Sequence, residues 1–350
     1  MKSHNPLILT ATVFFLFTAV SCDQPTEPDQ ADVSPAFSAS GPALRYGMVD
    51  LGTLGGNTAL ALDINNRGQV VGWSFTAEGP EGPPHAFLWE DGVWTDLHPS
   101  GHSLAFGINE PGQVVGLYTT QTGTRHAAMW DDGVMTDLGT LGGTYAEAWD
   151  INNRGQVVGR STTAGGPEDQ DGPMHAFLWE DGVRTDLGTL GGEESYATAI
   201  NNRGQVVGWS TTKEGPFSGF LWEDGVMTPI RDWFYAYDIN DHGQVVGYHG
   251  SHASLWEKGV MTELVPWSTG NWPQAQGINN RGQVVGFLKI GPTEFHAFLW
   301  ENGIMTDLGT LGDHDSFAYA INEPGQVVGW GDPEHNTISD LYVALWTRKN

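Results

Sequence analysis

Asp63-Ile64-Asn65-Asn66-Arg67-Gly68 sets a carboxylate and an amide two residues apart and closes on glycine. Short Ca²⁺ loops use that alternation. Later copies of the same turn lack the chemistry. The fifth place is Arg67, Arg154 or His242, and the first is Gly107, Ala199, Gly277 or Ala320. The acidic stretch GGPEDQDGP, Gly165 to Pro173, is the remaining Ca²⁺ candidate, without EF-hand spacing or a final Glu; no other cofactor is expected. His85, His126, His175, His252 and His296 invite a metal ring. They belong to successive sheets about 10 Å apart, so hydrogen bonding at a strand start is expected instead. Gly101-His102-Ser103 has the outline of a nucleophile elbow, but that motif needs a strand-to-helix turn and a second glycine, and Ala105 stands in its place. The Glu-Asp pairs, as at Glu90-Asp91, sit at hairpin tips and are not acid–base pairs. Two stretches depart most from their surroundings. PIRDWFYAYDIN (229–240) carries Trp233, Phe234, Tyr235 and Tyr237, and VPWSTGNWPQAQGIN (265–279) carries Trp267 and Trp272. Such aromatics could stack on a glycan or a peptide. Arg231, Asp232 and Tyr235 form the densest group for acid–base work, the basis of an alternative reading as a polysaccharide lyase or hydrolase.

The elements that must hold these residues follow from an internal repeat. Ile-Asn pairs begin at 64, 108, 151, 200, 239, 278 and 321, and each leads into Gly-Gln-Val-Val-Gly. Trp89, Trp130, Trp179, Trp222, Trp256, Trp300 and Trp346 then recur at one place per unit. One unit reads as four short strands. Strand A ends near Asn65, Asn109, Asn152, Asn201, Asn240, Asn279 or Asn322. An Asn-x-x-Gly turn leads to strand B (QVVGWS), a variable loop to strand C (HAFLW), and an Asp-Gly, Asn-Gly or Lys-Gly hairpin to strand D (VMTDL). Four strands in about 40–45 residues is the pattern of a β-propeller blade. The last unit lacks a D strand, while YGMVDLGTLGG, residues 46–56, matches GVMTDLGTLGG, residues 133–143. The expected fold is therefore all-β: a seven-bladed β-propeller over residues 45–350, four antiparallel strands per blade, closed by strand 46–51 completing the last blade. The repeated Trp are expected to pack between sheets.

The strand order and the Trp-acid close of strand C resemble WD40 repeats, without that family's Gly-His dipeptide. The triads His85-Ala86-Phe87, His175-Ala176-Phe177 and His296-Ala297-Phe298, beside GQVVG and LWEDGV, resemble the HAF-type extracellular repeat proteins of bacteria over about residues 46–346. That resemblance implies an exported repeat protein and carries no activity with it.

The chain start agrees with export. Met1-Lys2 precedes the apolar run LILTATVFFLFTAV, residues 7–20, and then Ser21-Cys22. This layout is that of a secretory signal peptide and resembles a bacterial lipoprotein signal. Residues 1–21 are the expected signal, Cys22 the lipidated residue, and 22–44, rich in Pro, Ser and acid, a disordered tether. Cys22 is the only cysteine, so no internal disulfide forms. A formal charge of −27 in 350 residues excludes a phosphate-backbone partner. The expectation is a monomeric, non-catalytic binding scaffold of the cell envelope, held to the membrane by its lipid alone, with a glycan or protein ligand.

Overall fold

Every Ile-Asn-x-x-Gly turn joins two antiparallel strands. The computed structural model describes residues 46–78, 82–165, 171–265, 271–291, 293–310, 315–332 and 341–349, all within the unit Pro35–Asn350. The expected signal peptide, Cys22, the tether and Trp267 lie outside the described residues. Regular structure among the described residues is entirely β. The A strands are Gly55–Ile64, Ser103–Ile108, Gly142–Ile151, Gly191–Ile200, Phe234–Ile239, Gln274–Ile278 and Ser316–Ile321. The B strands run from Val70, Val114, Val157, Val206, Val245, Val284 and Val327, and the C strands end at Glu90, Asp131, Glu180, Glu223, Glu257, Glu301 and Arg348.

Within each unit the strands pair in the order A-B-C-D. One departure from separate four-stranded sheets occurs. Tyr145, near the head of the third A strand, makes a parallel bridge to Arg125 of the preceding C strand, so two units share an eight-stranded sheet. The last unit takes its fourth strand from the other end of the domain: Tyr46–Asp50 pairs antiparallel with Tyr342–Arg348, with Met48 opposite Trp346. Leu51 extends the ladder by donating its N–H to the carbonyl of Val343 at 3.0 Å.

The core lies between units. Ala59, Ile64, Val70 and Phe87 of the first unit pack with Val328, Val343 and Leu345 of the last. Val158 and Leu178 of the third pack with Ile200, Val206 and Phe220 of the fourth. Strand-C tryptophans join these layers as expected. Trp130 and Trp346 are fully buried, and Trp89, Trp179, Trp222, Trp256 and Trp300 are half-buried against the same clusters. At the C–D hairpin tips Asp91 and Gly92 both have positive φ, 48° and 86°, the mirror-image turn that matches strand twist.

Each A strand carries a bulge that the sequence pattern does not announce: one residue lies unpaired between Ala61 and Asp63, Ala148 and Asp150, or Ala197 and Ala199. The bulge presses an A-strand carbonyl onto the B strand. A Cβ on Gly208 would collide with the carbonyl oxygen of Tyr196, and the last glycine of every Gln-Val-Val-Gly faces the same obstruction.

The Asn of each turn does more than shape its backbone. In the fourth unit, Oδ1 of Asn201 accepts the N–H groups of Arg203 and Gln205, both at 3.0 Å. Its Nδ2 donates to Oε1 of Gln205 at 2.8 Å and to the carbonyl of Asn240, in the next turn, at 3.0 Å. The inter-turn bond recurs from Asn65 to Asn109, on through Asn152, Asn201, Asn240 and Asn279 to Asn322, and from Asn322 back to the carbonyl of Asn65. One residue further on, a second circuit runs alongside. The N–H of Asn66, Glu110, Asn153, Asn202, Asp241, Asn280 and Glu323 each donates to the side-chain oxygen of the following one, and Glu323 donates to Asn66.

Three aspartates add a third kind of link. Asp63 accepts the N–H of its own Ile64 and of Ile108 in the next unit, both at 2.8 Å. Asp150 spans Ile151 and Ile200, and Asp238 spans Ile239 and Ile278. Desolvation outweighs these N–H bonds and, helped by the Asp150 charge at the other two, pushes Asp63 to about 8, Asp150 to about 6 and Asp238 to about 7.

Two outcomes are expected. Asn201→Ala, which unpairs several buried groups at once, should lower stability by about 3 kcal/mol; a loss below about 1 kcal/mol in a denaturant titration would contradict the inter-turn role. The raised aspartates favour the protonated folded state. Their contribution is complete below the unfolded value near 4 and declines as pH rises through about 6 to 8. The thermal midpoint should therefore fall between those limits, and joint replacement of Asp63, Asp150 and Asp238 by Asn should flatten the profile.

Candidate functional site

Once the repeat positions are assigned to backbone and interface bonds, what remains is the set of side chains that differ between units. Most concentrate on the residue two places before each bulge and on its B-strand partner. These pairs are Leu60 with Trp73, Leu104 with Leu117, Glu147 with Arg160, Tyr196 with Trp209, Tyr235 with Tyr248, Gln274 with Phe287 and Phe317 with Trp330. The second to fifth units make this a continuous aromatic path. Phe106 stacks on Trp149 at 4.7 Å. Arg160 lies 5.8 Å from the Trp149 ring centre and 5.2 Å from that of Tyr196. Tyr196 stacks on Trp209 at 4.0 Å, Trp209 meets Phe217 and Tyr235 at 5.8 Å each, and Phe217 meets Trp233 edge-on at 5.4 Å. The buried carboxylate of Glu147 holds Arg160 through its Nε and a terminal nitrogen, each at 2.7 Å, and also accepts the Tyr145 hydroxyl.

The path surfaces at Trp233. This residue is 54% exposed, and its φ of 60° lies in the left-handed region that bulky side chains avoid. Its N–H donates to the carbonyl of Phe217 at 3.0 Å, which ties the strained residue to the loop before strand C. Tyr235 is half-buried, its ring 4.2 Å from Phe217. Tyr237 is the bulge residue of its strand; burial, with Tyr235, Tyr248 and Tyr319 nearby, raises its phenol above the ordinary range. Phe234 corrects the sequence expectation. It is fully buried and fills the space left by Gly219, where a Cβ would strike its ring. Elsewhere Ala176 occupies the Gly219 position and Ser195 the Phe234 position, linked by an N–H to Oγ bond of 2.9 Å. The Gly–Phe exchange is thus a local repacking, and Phe234 is not a ligand contact. Trp272 is 43% exposed and also has a positive φ, 32°. Arg231 and Asp232 stand exposed on the D strand, and the Tyr235 ring packs on Phe217.

Four of the five strand-C histidines bond to the carboxylates of strand D. His85 meets Asp96 at 2.7 Å, His126 meets Asp137 at 3.0 Å, and His175 and His296 meet Asp186 and Asp307 at 2.8 Å. His252 lies 3.9 Å from Glu263. Among the described residues no group of three potential ligands could hold a metal. Of the acidic stretch 165–173, the described Asp171 accepts the N–H and hydroxyl of Thr144, both at 2.6 Å. A cleft of about 600 Å³ beside His85 and Asp96 includes Pro99 and Ser100. Ser100 Oγ is 3.4 Å from Nε2 of His98. The two oxygens of Asp96, however, go to the His98 backbone and to His85, so no Ser-His-Asp relay forms. Ser103, from the elbow-like motif, is fully buried and accepts the N–H of Ala86.

No protein-family model and no curated protein matches the sequence. Solved structures match the fold. The β-propeller domain of the Trilobed protease from Pyrococcus furiosus, which has an open velcro topology, superposes with a TM-score of 0.56 at 11% identity, covering 82% of this chain and 93% of that one. A prolyl endopeptidase gives 0.57 at 10% identity, covering 83% of this chain and 50% of its own length. An acylaminoacyl peptidase gives 0.51 at 13%, covering 83% and 51%. The chain spans about half the length of these two peptidases. At such identities the similarity is one of fold, and the fold is that of the β-propellers.

The two aromatic neighbours should respond oppositely to truncation. Phe234→Ala should cost about 3–5 kcal/mol, and Trp233→Ala under about 1 kcal/mol. Equal losses in parallel urea titrations would refute the division between core and surface.

Proposed function

We propose that the chain is an exported, HAF-type cell-envelope lipoprotein, acylated at Cys22, whose propeller serves as a monomeric, non-catalytic binding scaffold. On this reading the propeller has seven blades, with strand 46–51 as the fourth strand of the last. The two hydrogen-bond circuits that return from Asn322 and Glu323 to Asn65 and Asn66 support that count. The ligand is a glycan or a peptide taken on the aromatic path where it emerges. The observation that carries the binding reading is Trp233: an indole more than half exposed, in a backbone conformation costing about 1–3 kcal/mol, backed by the packed rings of Phe217, Tyr235 and Trp209. A rigid platform of this kind binds with little ordering cost.

Two measurements test the reading. Palmitate labelling in a bacterial host should mark the wild-type chain and not Cys22→Ala. Affinity electrophoresis through polysaccharides and cell-wall fragments should find a retarding ligand whose effect Trp233→Ala abolishes with the fold intact. Retardation unchanged by Trp233→Ala would remove the platform, and turnover of a polysaccharide by the purified chain would replace the scaffold with the enzyme.

A further inference from the structure

The fourth unit gives up both halves of the ion pair between strands C and D. Ser218 stands where the first, second, third and sixth units carry histidine, and Pro229 where they carry aspartate: Phe220 pairs with Pro229 as Phe87 pairs with Asp96. The same D strand is the longest. Val226–Asp232 has seven residues, against four to six in the other D strands. Its added length carries Arg231 and Asp232, both exposed, up to Trp233. No ion pair among the described residues engages either side chain. An open indole, a guanidinium and a carboxylate therefore stand on three consecutive residues, all within reach of solvent.

We infer that Trp233, Arg231 and Asp232 bind a neutral glycan, the indole taking one face of a sugar ring and the two charged side chains its hydroxyls. The inference rests on the reading of the chain as a binding propeller and narrows its ligand to one class. Charge is the first argument. Arg231 and Asp232 cancel locally, in a chain of formal charge −27. A polyanion would meet the repulsion of the whole molecule, and an organic cation would meet Arg231. Hydroxyls both donate and accept, so they can use the guanidinium and the carboxylate together. Shape is the second. An indole offers a flat apolar face, which matches a ring with C–H bonds on its face and hydroxyls at its rim. The third argument removes the peptide. A peptide would dock by adding a strand to a free sheet edge, and this D strand is the edge of its sheet. That edge is broken: Pro229 has no N–H to offer, and Ile230 is an extra, unpaired residue between Pro229 and Arg231.

The test is calorimetric titration of the full chain with cellohexaose, xylohexaose, mannohexaose and chitohexaose. Hexagalacturonate, a chitosan hexamer and hexaproline are the anionic, cationic and peptide controls. At least one neutral hexasaccharide should bind more tightly than every control, with an affinity that changes less than about twofold between about 50 and about 500 mM NaCl. Trp233→Ala and Trp233→Gly should each weaken it about tenfold or more, and Arg231→Gln and Asp232→Asn about threefold or more. Glycine accepts the positive φ, so Trp233→Gly should hold the thermal midpoint within about 4 °C of wild type. No binding of any neutral hexasaccharide, tighter binding of a control, or hexasaccharide binding untouched by both Arg231→Gln and Asp232→Asn would overturn the inference. A control that binds wild type and is lost in Trp233→Ala would overturn the ligand class and leave the scaffold function standing. Hexasaccharide binding that survives Trp233→Gly would remove the platform, and the inference with it.

Discussion

The fold depends on one side-chain amide used in two directions. In each turn the Asn oxygen closes its own hairpin, and the Asn nitrogen reaches the backbone carbonyl of the next turn. No other residue of that size offers an acceptor and two donors on a planar group. Aspartate would keep the turn and lose the link; serine could not span both. This requirement, together with the glycine that must clear an A-strand carbonyl, explains why Ile-Asn and Gly-Gln-Val-Val-Gly recur with so little variation. The Gln is drawn in as well: its Oε1 accepts from the Asn, and in five units its Nε2 reaches the acid that follows the strand-C Trp.

A scaffold with so many assigned positions leaves few free ones, and individuality collects there. Between consecutive Val-Val-Gly and strand-A segments, one pair per unit is Leu–Leu, another Glu–Arg, another Tyr–Trp. The Ala–Gly pair that follows each of them does not change. The Glu147–Arg160 ion pair sits between aromatic rings and is fully engaged, so it fixes the ring order of the path. Trp233, at the far end, is the part that meets solvent.

Much of this was legible in the sequence, for physical reasons. Asn-x-x-Gly and Asp-Gly are local signals, and the displaced strand at 46–51 is visible as a copy of a repeat segment. Core placement of the Trp followed from their constant position. The bulge was hidden, because an extra unpaired residue changes register without changing composition. The second circuit was hidden because Asn, Glu and Asp alternate at its position, and only their partners 39 to 49 residues away, across the last joint 257, show that they share a role. Phe234 misled because an aromatic in a divergent loop looks like a surface feature; the compensating Gly219 was the available clue. Tyr196 and Trp209 stand on strands, where an aromatic reads as core packing, and Phe217 stands alone in a loop. The B-strand column across units, Trp73, Leu117, Arg160, Trp209, Tyr248, Phe287 and Trp330, carries the signal for Trp209, and its A-strand partner column carries that for Tyr196.

The aspartate links have a further consequence, which is one of parity. They couple the first unit to the second, the third to the fourth and the fifth to the sixth, through the N–H groups of Ile108, Ile200 and Ile278. Seven repeats cannot be tiled by couples, so the seventh, with Ala320 at the aspartate position, is the odd member. It is also the unit that borrows a strand from residues 46–50. The chain thus spends a covalent device, its own doubled-back end, at the one place where the pairwise carboxyl scheme runs out.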